Sequence, residues 1–235
     1  MIKNLINFLR IQKRKFKSKK ISYSFNSVDL IIEYLFKKHA NGFYIDVGAQ
    51  HPISNNNTYL LYKKGWSGIN IDLDKSNIDL FNIARPNDLN INCALSDKEG
   101  ETDYFYFHDG SPINSLNKEV SSQQKANYKE IKKIKTDKLD NILYQINFKK
   151  NIDYLNIDVE GHELFVLKGF NLSKYKPSII SVEYLDLNMK RLEFRNNNLK
   201  NITDSKIYRY LIENEYFFIN WLHGDLIFAH KNFRD

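Results

Sequence analysis

The sequence contains a single cysteine, Cys93, among 235 residues. One cysteine excludes an intramolecular disulfide framework and any zinc site built from several cysteines, and we interpret Cys93 as a buried strand residue. No apolar run approaches the ~20 residues that a membrane-spanning helix needs. The segment Met1–Lys20 also lacks the apolar core and cleavage site of a secretory signal. These absences favour a cytoplasmic protein.

Length and composition favour one sizeable α/β domain. Hydrophobic residues make up 42% of the chain and aromatic residues 14%, which is enough for a substantial core. There is no internal repeat and no linker rich in proline and glycine. We therefore predict a basic N-terminal extension or amphipathic helix over residues 1–24 and a single folded domain over residues 25–235.

Much of the net charge of +7 lies near the start of the chain. The basic residues there are Arg10, Lys13, Arg14, Lys15, Lys17, Lys19 and Lys20. If the segment is helical, one face carries Ile2, Leu5, Ile6, Leu9 and Phe16. Such a helix can lie on an anionic membrane surface, whereas a solvated, partly disordered extension explains the same composition. No recognition motif accompanies the charge, so we expect no nucleic-acid binding.

Strand patterns alternate with helical patterns along the chain. Strands are predicted at Phe43–Val47, Gly68–Asp72, Leu89–Leu95, Ile131–Thr136, Tyr154–Ile157 and Ser178–Tyr184. Helices are predicted at Ser27–His39, Thr58–Lys64, Ser76–Ile83, Leu139–Gln145, Glu163–Lys168 and Ser205–Asn214. Alternation of this kind predicts a mostly parallel sheet with helices on both faces. Tyr216–Leu222 and Asp225–His230 predict a closing antiparallel hairpin.

Two segments depart from this alternation. Thr102–Phe107 alternates polar and aromatic residues, which predicts a strand at the edge of the sheet. The polar stretch Asp109–Lys129 is long for a connection in a compact domain, and such loops are often lids or binding segments.

The first strand ends in the motif FYIDVGA, which predicts a ligand site. Asp46 lies at the strand tip, and Gly48 allows a close backbone approach to a ligand. No GxGxxG or GxxxxGK[ST] motif is present, so the sequence lacks the usual means of binding a pyrophosphate. The site therefore suits a positively charged, phosphate-free ligand such as S-adenosylmethionine. The alternative is that Gly48 only permits a tight turn and contacts no ligand.

The next two strand tips extend this site. Asp72 ends the second strand, where a carboxylate can accept both ribose hydroxyls, and Asp74 fits the N-cap of the following helix. At the third tip, Leu95 and Ser96 lie where residues could flank an adenine ring.

The most informative motif is DVEGHE, which follows the strand at Tyr154–Ile157. Asp158 lies at the tip, Gly161 allows a sharp turn, and Glu163 starts the next helix. Glu160 and Glu163 near a helix N-terminus are also favourable for purely structural reasons. His162 has an unperturbed pKa near neutrality, so it could take a proton from a substrate hydroxyl.

Together these residues resemble the FkbM family of S-adenosylmethionine-dependent methyltransferases. The matching segments are FYIDVGA, GWSGINIDLD, CALSDKEGE, KTDKLDNIL and IDYLNIDVEGHELFVLKGF, and they cover roughly residues 42–183. The resemblance implies a Rossmann-like class I methyltransferase fold over residues 25–235, with a mostly parallel seven-stranded sheet and a C-terminal antiparallel hairpin. It also implies methyl transfer to an oxygen, commonly on a sugar or a polyketide-like hydroxyl.

The resemblance also implies roles for individual residues. The implied cofactor-binding residues are Asp46, Gly48 and Ala49 at the methionine end, Asp72 and Leu73 at the ribose, Leu95 and Ser96 at the adenine, and Asp158 where methionine and acceptor meet. The family often has Asn and Gly where this chain has Gln50 and Pro52. His51 and Asn55–Thr58 are candidates to replace them at the methionine carboxylate.

The mechanism that follows is an SN2 transfer from the sulfonium to an acceptor hydroxyl. His162 is the first candidate for the base, and Asp158 and Glu160 come next. A metal-assisted version places Mg²⁺ among Asp158, Glu160 and Glu183. The sequence does not decide between these versions.

The expected acceptor is a carbohydrate, as a glycan or as a lipid-linked or nucleotide-linked sugar. Ser111–Leu116 could fold over it, and Tyr104, Tyr106, Tyr184 and Trp221 could stack on it, although core packing is the commoner fate of such aromatics. Membrane contact by the basic extension would favour a lipid-linked glycan. The alternatives are an NAD-dependent sugar oxidoreductase and a non-catalytic methyltransferase-like binding module.

Overall fold

A computed structural model describes residues 2–124, 127–184, 199–222 and 224–233, so residues 125–126 of the polar stretch lie outside it. The strands are β1 Phe43–Val47, β2 Ser67–Asp72, β3 Leu89–Asn92, β4 Ala94–Leu95, β5 Gly100–Tyr106, β6 Glu130–Asp137, β7 Tyr154–Ile157, β8 Ile179–Glu183, β9 Tyr216–Leu222 and β10 Asp225–His230. The helices are α1 Ile2–Lys17, α2 Val28–Leu35, α3 Tyr59–Lys63, α4 Lys75–Ala84, α5 Lys118–Gln123, α6 Leu139–Gln145, α7 Glu163–Lys168, α8 Leu172–Tyr175, α9 Lys200–Thr203 and α10 Lys206–Glu213.

The main sheet has seven strands in the order β3-β2-β1-β7-β8-β10-β9. Within this sheet, β3, β2, β1, β7 and β8 are parallel to one another, and β10 runs antiparallel to both β8 and β9. The predicted α/β architecture, with a mostly parallel seven-stranded sheet and a C-terminal antiparallel hairpin, is therefore confirmed. The assignment to the Rossmann-like class stays a prediction. None of the described helices is long and apolar enough to cross a bilayer.

A second, three-stranded sheet in the order β4-β6-β5 was not predicted. The predicted strand Leu89–Leu95 is divided at Cys93, whose amide donates to the Asp72 carbonyl while Ala94 already pairs with Thr136 of β6. The prediction that Thr102–Phe107 forms an edge of the main sheet is wrong, because β5 belongs to the second sheet, where it pairs with β6 in antiparallel register. The chain thus leaves the main sheet after β3 and returns at β7.

Apolar clusters cover both faces of the main sheet. One face carries Ile45, Val47, Leu155 and Ile157, which pack with residues of α6, α7 and α10. On the other face, Tyr44, Tyr154 and Ile179 pack with Val28 and Ile32 of α2. Successive strand residues point to opposite faces, so the near-continuous apolar runs of β1 and β7 follow from burial on both sides.

The α2 face of the sheet changes from apolar to polar near the strand ends. Asn70, Asp46, Asn156 and Ser181 are aligned in the pairings β2–β1, β1–β7 and β7–β8, and all four are buried. The Asn156 amide donates to Asp46 Oδ1 (2.8 Å), and Ser181 donates to Asn156 Oδ1 (2.6 Å). We call these four residues the polar row. It is hydrogen-bonded across the sheet directly beneath the strand tips.

Arg85 joins the polar row to the loop that follows β1. Its guanidinium is fully buried and donates to the Pro52 carbonyl, Asn56 Oδ1, Thr58 Oγ1 and Asn70 Oδ1. A buried guanidinium is tolerated when several acceptors satisfy its fixed set of donors. Arg85 therefore fixes the position of the loop over residues 52–58 against β2.

We expect Arg85→Lys to lower the free energy of unfolding by about 2–4 kcal/mol, because an ammonium cannot reach all four acceptors and leaves buried groups unpaired. Urea denaturation measures the change. Arg209→Lys is the control, since Arg209 is an exposed partner of Asp204 and its loss should cost at most about 0.5 kcal/mol. Equal effects of the two substitutions would contradict this role of Arg85.

Candidate functional site

Two cavities open at the carboxyl ends of the parallel strands. The first, of about 550 Å³, lies over the tips of β1 and β2. The second, of about 1390 Å³, lies over the tips of β1, β7 and β8. Crevices at this edge of a parallel sheet are the usual ligand sites of open α/β folds.

Asp72 lies in the first cavity, as predicted. Its Oδ2 accepts from the Gln50 amide (2.8 Å), and its Oδ1 accepts from the Asp74 amide (2.7 Å) and from Asn77 Nδ2 (3.1 Å). Burial raises the pKa of Asp72 to about 6, although these donors oppose the shift. The carboxylate is held in one orientation, and Leu73 beside it also lines the cavity.

Of the two residues predicted to flank the adenine, Leu95 lines the first cavity and Ser96 does not. Ser96 is buried next to Leu95, and Ser96 Oγ lies 3.0 Å from His162 Nε2. The His162 ring also stacks on Phe165, with ring centroids 4.5 Å apart. Burial lowers the pKa of His162, which favours the neutral imidazole. His162 thus lines the first cavity beside Ser96, and it does not line the second.

Gly48 lies where the two cavities meet and has to be a glycine. Its φ is +75°, and a Cβ atom at this position would lie 1.7 Å from the Asp158 carbonyl oxygen. Its amide donates to the Ile71 carbonyl (2.9 Å). The backbone of β1 therefore turns tightly between the tips of β2 and β7. This is the alternative that the sequence analysis gave for Gly48, and its contact with a ligand stays a prediction. Ala49, the neighbouring predicted cofactor residue, lines the second cavity.

The two cavities share a junction. The residues that line both are Gly48, Gln50, Pro112, Asp158 and Glu160. A ligand in each cavity would meet beside the carboxylates of Asp158 and Glu160. We refer to this place as the junction.

Carboxylates crowd the second cavity. Its lining includes Asp46, Asp158, Glu160, Glu183 and Asp225, and no described lysine or arginine lines either cavity. Asp158, Glu160 and Glu183 place carboxylate oxygens within 4.8 Å of one another. The buried Oε2 of Glu183 has no hydrogen-bond partner.

Burial and mutual repulsion raise the pKa of these acids. Burial is the larger cause for Asp158 and Glu183, whose pKa values lie well above the usual range, and the neighbouring carboxylates add to it. Burial, with Glu163 nearby, raises the pKa of Glu160 to about 7. Burial also raises the pKa of Asp225 to about 6. The second cavity thus favours cationic or proton-donating groups.

The turn after β7 presents the junction carboxylates. Glu160 and Gly161 both have positive φ, +55° and +92°. Glu163 Oε1 accepts from the amides of Gly161 (2.8 Å) and Val159 (3.2 Å), so the Glu163 side chain stabilises this turn. A non-glycine residue such as Glu160 at positive φ is strained, and such strain often accompanies a functional site.

The segment Ser111–Leu116 forms a wall between the two cavities. Ser111 and Leu116 line the first, Ile113 lines the second, and Pro112 lines both. Ser115 Oγ donates to the Glu160 carbonyl (2.7 Å), which ties the segment to the turn after β7. Ser111 Oγ is buried and has no hydrogen-bond partner. The polar stretch therefore lines both cavities, and its role as a lid or binding segment stays a prediction.

Asp74 supports this wall from below. As predicted, its Oδ1 caps α4 by accepting from the Ser76 amide (2.9 Å). Its Oδ2 accepts from the Gly110 amide (2.7 Å) and from Asn114 Nδ2 (3.3 Å). This second role of Asp74 could not be inferred from a local capping pattern.

Several residues of the second cavity were missed by the sequence analysis. They are Ser24, Phe25, Asn26, Asn156, Gly224 and Asp225. Conversely, none of Tyr104, Tyr106, Tyr184 and Trp221 lines either cavity, so their stacking on a sugar remains a prediction without support from the cavity lining.

The segment after Gly48 was predicted to contribute to the methionine carboxylate site, and that role stays a prediction. Gln50, Asn55, Asn56 and Asn57 line the second cavity, whereas His51 and Thr58 do not. His51 Nδ1 accepts from the amides of Ile53 (3.1 Å) and Ser54 (3.0 Å), which orders the loop itself.

The sequence profile described as "Methyltransferase FkbM domain" matches residues 46–217. The matched region begins at Asp46 of β1, ends within β9 and covers well over half of the chain. It contains the strand tips and turns that form the junction. No curated protein matches the chain.

The crowding of acids predicts that Asp158→Asn stabilises the fold at pH 8. Carboxyl groups with a raised pKa bind more protons in the folded than in the unfolded state. The free energy of unfolding should therefore fall as the pH rises from about 5 to 8, and removing one buried charge should lessen that fall. We expect the variant to melt about 2–4 °C above the parent at pH 8, with a smaller gain at pH 5.

Scanning calorimetry at the two pH values measures this effect. Asp79→Asn is the matched control, because Asp79 is exposed and paired with Lys75, and it should give no gain. A lower melting temperature of Asp158→Asn than of the parent at pH 8 would show that the site is not electrostatically strained.

Proposed function

The chain belongs to the FkbM methyltransferase domain family, and on that premise we propose that it is an S-adenosylmethionine-dependent O-methyltransferase acting on a hydroxyl of a carbohydrate. The junction is the observation that carries this proposal. It joins a narrow cavity to a wide one through a pair of acidic residues, Asp158 and Glu160. A methyl donor and an acceptor need such a shared point of contact.

The first cavity suits S-adenosylmethionine in its chemistry. Asp72 offers a fixed carboxylate for the ribose hydroxyls, and Ser111 Oγ is a buried polar atom in need of a partner. The acids of the junction complement a sulfonium, and the lack of a described lysine or arginine in the lining suits a ligand without phosphates. When bound, the cofactor supplies an electrophilic methyl group.

The second cavity suits a polyhydroxylated acceptor. Asn55, Asn56, Asn57 and Asn156 line it together with the carboxylates. Amide and carboxylate groups form directed hydrogen bonds with hydroxyls. Since no described basic residue lines the cavity, it favours the neutral sugar part of a glycan, a lipid-linked sugar or a nucleotide-linked sugar over any phosphate attached to it.

Asp158 and Glu160 are the bases that the geometry favours. With cofactor and acceptor bound, the carboxylate of Asp158 or Glu160 would take the proton of the acceptor hydroxyl as the methyl group is transferred. Glu160 suits this role because its pKa lies near 7. The role of His162 as base stays a prediction. His162 lines the first cavity, is hydrogen-bonded with Ser96 and does not line the second cavity.

In the second version of this mechanism, a divalent cation assists the removal of the hydroxyl proton. The converging oxygens of Asp158, Glu160 and Glu183 are hard ligands of the type that Mg²⁺ prefers. The orphaned Oε2 of Glu183 is compatible with either a cation or a shared proton. These three residues would hold the cation, and the bound cation would lower the pKa of the acceptor hydroxyl.

Two other functions receive less support. An NAD-dependent sugar oxidoreductase would need a pyrophosphate site, yet the loop after β1 lacks the glycine fingerprint and the first cavity lacks a described lysine or arginine. A non-catalytic binding module would have no need for strained acids at the junction. Binding measurements separate the three.

We expect S-adenosylhomocysteine to bind the parent protein with a micromolar dissociation constant in calorimetry, and NAD not to bind. Gly48→Ala should weaken this binding at least tenfold, since the added methyl group would clash with the Asp158 carbonyl. Gly100→Ala is the control, because nothing lies within 4 Å of its Cβ position. Binding of NAD alone would favour the oxidoreductase, and binding of neither ligand would favour the non-catalytic module.

The choice of base is tested by pH profiles of methyl transfer to a panel of sugars. If Glu160 is the base, kcat/KM of the parent should rise through about pH 7, and Glu160→Gln should lower kcat by about 10²–10⁴-fold. His162→Gln should then change KM for the cofactor more than kcat. A collapse of kcat in His162→Gln, with Glu160→Gln nearly unaffected, would restore the histidine as base. Full activity after chelation, without added metal, would exclude the cation.

A further inference from the structure

Helix α1 carries an apolar face that is fully exposed. Every described side chain of this helix, over residues 3–16, is exposed to solvent. At 3.6 residues per turn, one side carries Leu5, Ile6, Phe8, Leu9 and Phe16, whose exposed fractions range from 44% to 79%. Burying so many apolar side chains would be strongly favourable, so this face requires an explanation.

The opposite side of α1 is basic. It carries Lys3, Arg10 and Arg14, while Lys15 lies at its border beside Phe8 and Lys13 falls between Leu9 and Ile6. Residues 1–24 contain no acid, so the charge of the helix is not offset locally. An apolar stripe beside a lysine- and arginine-rich face is the pattern of a helix that lies in the interface of an anionic bilayer. A helix that docked on the body of the protein would bury the stripe, and this one does not.

The helix is connected by a short tether to the second cavity. Ser22 Oγ donates to Asp29 (2.6 Å), Ser24 Oγ donates to Asn57 Oδ1 (2.6 Å), and Asn26 Nδ2 donates to Asp225 Oδ2 (3.3 Å). These bonds fix the segment Ser22–Asn26, which supplies Ser24, Phe25 and Asn26 to the cavity lining. Only Ser18–Ile21 separates it from α1, and four extended residues span about 14 Å at most.

We propose that α1 binds an anionic lipid surface and thereby holds the opening of the second cavity at that surface, so that the acceptor is a hydroxyl compound carried by the membrane. The choice of acceptor rests on the proposed methyl transfer, whereas the membrane contact does not. The two charged regions have different roles. The basic face of α1 attracts lipid headgroups and any phosphate linker, while the acidic second cavity accepts an uncharged sugar.

Vesicle flotation tests the membrane contact with the full chain. The probes are vesicles of phosphatidylcholine alone and of phosphatidylcholine with 30 mol% phosphatidylglycerol. We expect binding to the anionic vesicles only, with a steep decrease as salt rises. Leu9→Glu should lower the partition coefficient at least tenfold.

Ile11→Glu is the matched control. Ile11 and Leu9 are both exposed, at 62% and 57%, and both substitutions add one negative charge. The two residues lie about 200° apart around the helix, so only Leu9 belongs to the apolar face. Equal losses in the two variants would show that α1 acts through charge alone. If a generic RNA bound and vesicles did not, the membrane proposal would be wrong and nucleic acid would be the partner of α1.

The orientation of the cavity is tested by tryptophan fluorescence. Phe25→Trp places a reporter at the second cavity, and Tyr144→Trp places one on α6, beside Lys174 and Tyr175 and away from both cavities. Brominated anionic lipids quench tryptophan fluorescence at the membrane. After the fluorescence of the parent is subtracted, the fluorescence of the added tryptophan should be quenched for Phe25→Trp and unchanged for Tyr144→Trp. Equal quenching, or none at either position, would overturn the proposed orientation.

The cofactor site provides the check that separates the two proposals. S-adenosylhomocysteine binding by Leu9→Glu should match that of the parent. If vesicle binding fails while S-adenosylhomocysteine still binds, the membrane proposal is wrong and the methyltransferase proposal stands. If the ligand fails to bind while vesicles are bound, the assignment of the acceptor is lost but the membrane contact remains.

Discussion

The buried hydrogen bonds of Asp46 hold the functional edge of the sheet together. Its carboxylate accepts from Asn156 of β7 on one side and from Asn56 and Thr58 of the following loop on the other. Buried polar groups are costly unless fully paired, so this arrangement strongly disfavours any slip of β1 against β7. Arg85 extends the same network to β2 through Thr58 and Asn70. The strand tips, and hence both cavities, are positioned by this polar row.

Above the polar row, acidic side chains of the second cavity are buried close together, which disfavours their charged forms. Asp158, Glu160 and Glu183 converge without a described basic partner in the cavity lining, and burial together with repulsion raises their pKa values. Such an arrangement costs folding free energy, and proteins commonly accept this cost at sites of function. In the proposed reaction, a bound sulfonium would offset this charge, and donor binding, proton transfer and local stability would all depend on the same carboxylates.

Much of the fold could be predicted because its signals are local. The apolar runs of β1, β2 and β7 and the acids and glycines at their tips identified Asp46, Gly48, Asp72 and Asp158 as neighbours in space. The second sheet was missed because its formation depends on where Cys93 leaves β3, which no periodicity indicates. Asp225 and Phe25 were missed because they come from opposite ends of the chain and meet only in the folded molecule. His162 precedes α7 and is hydrogen-bonded with Ser96, a contact that the motif alone does not indicate.

In the proposed reaction, the sulfonium of the methyl donor lies beside the acids of the junction. Calorimetry at pH 7 in two buffers of different ionisation enthalpy counts the protons released on binding S-adenosylmethionine and S-adenosylhomocysteine. The two ligands differ at the sulfur by one methyl group and one positive charge. A positive charge at the junction lowers the pKa of its carboxyl groups, so S-adenosylmethionine should release more protons than S-adenosylhomocysteine, by up to about one. Equal proton release for the two ligands would contradict the account.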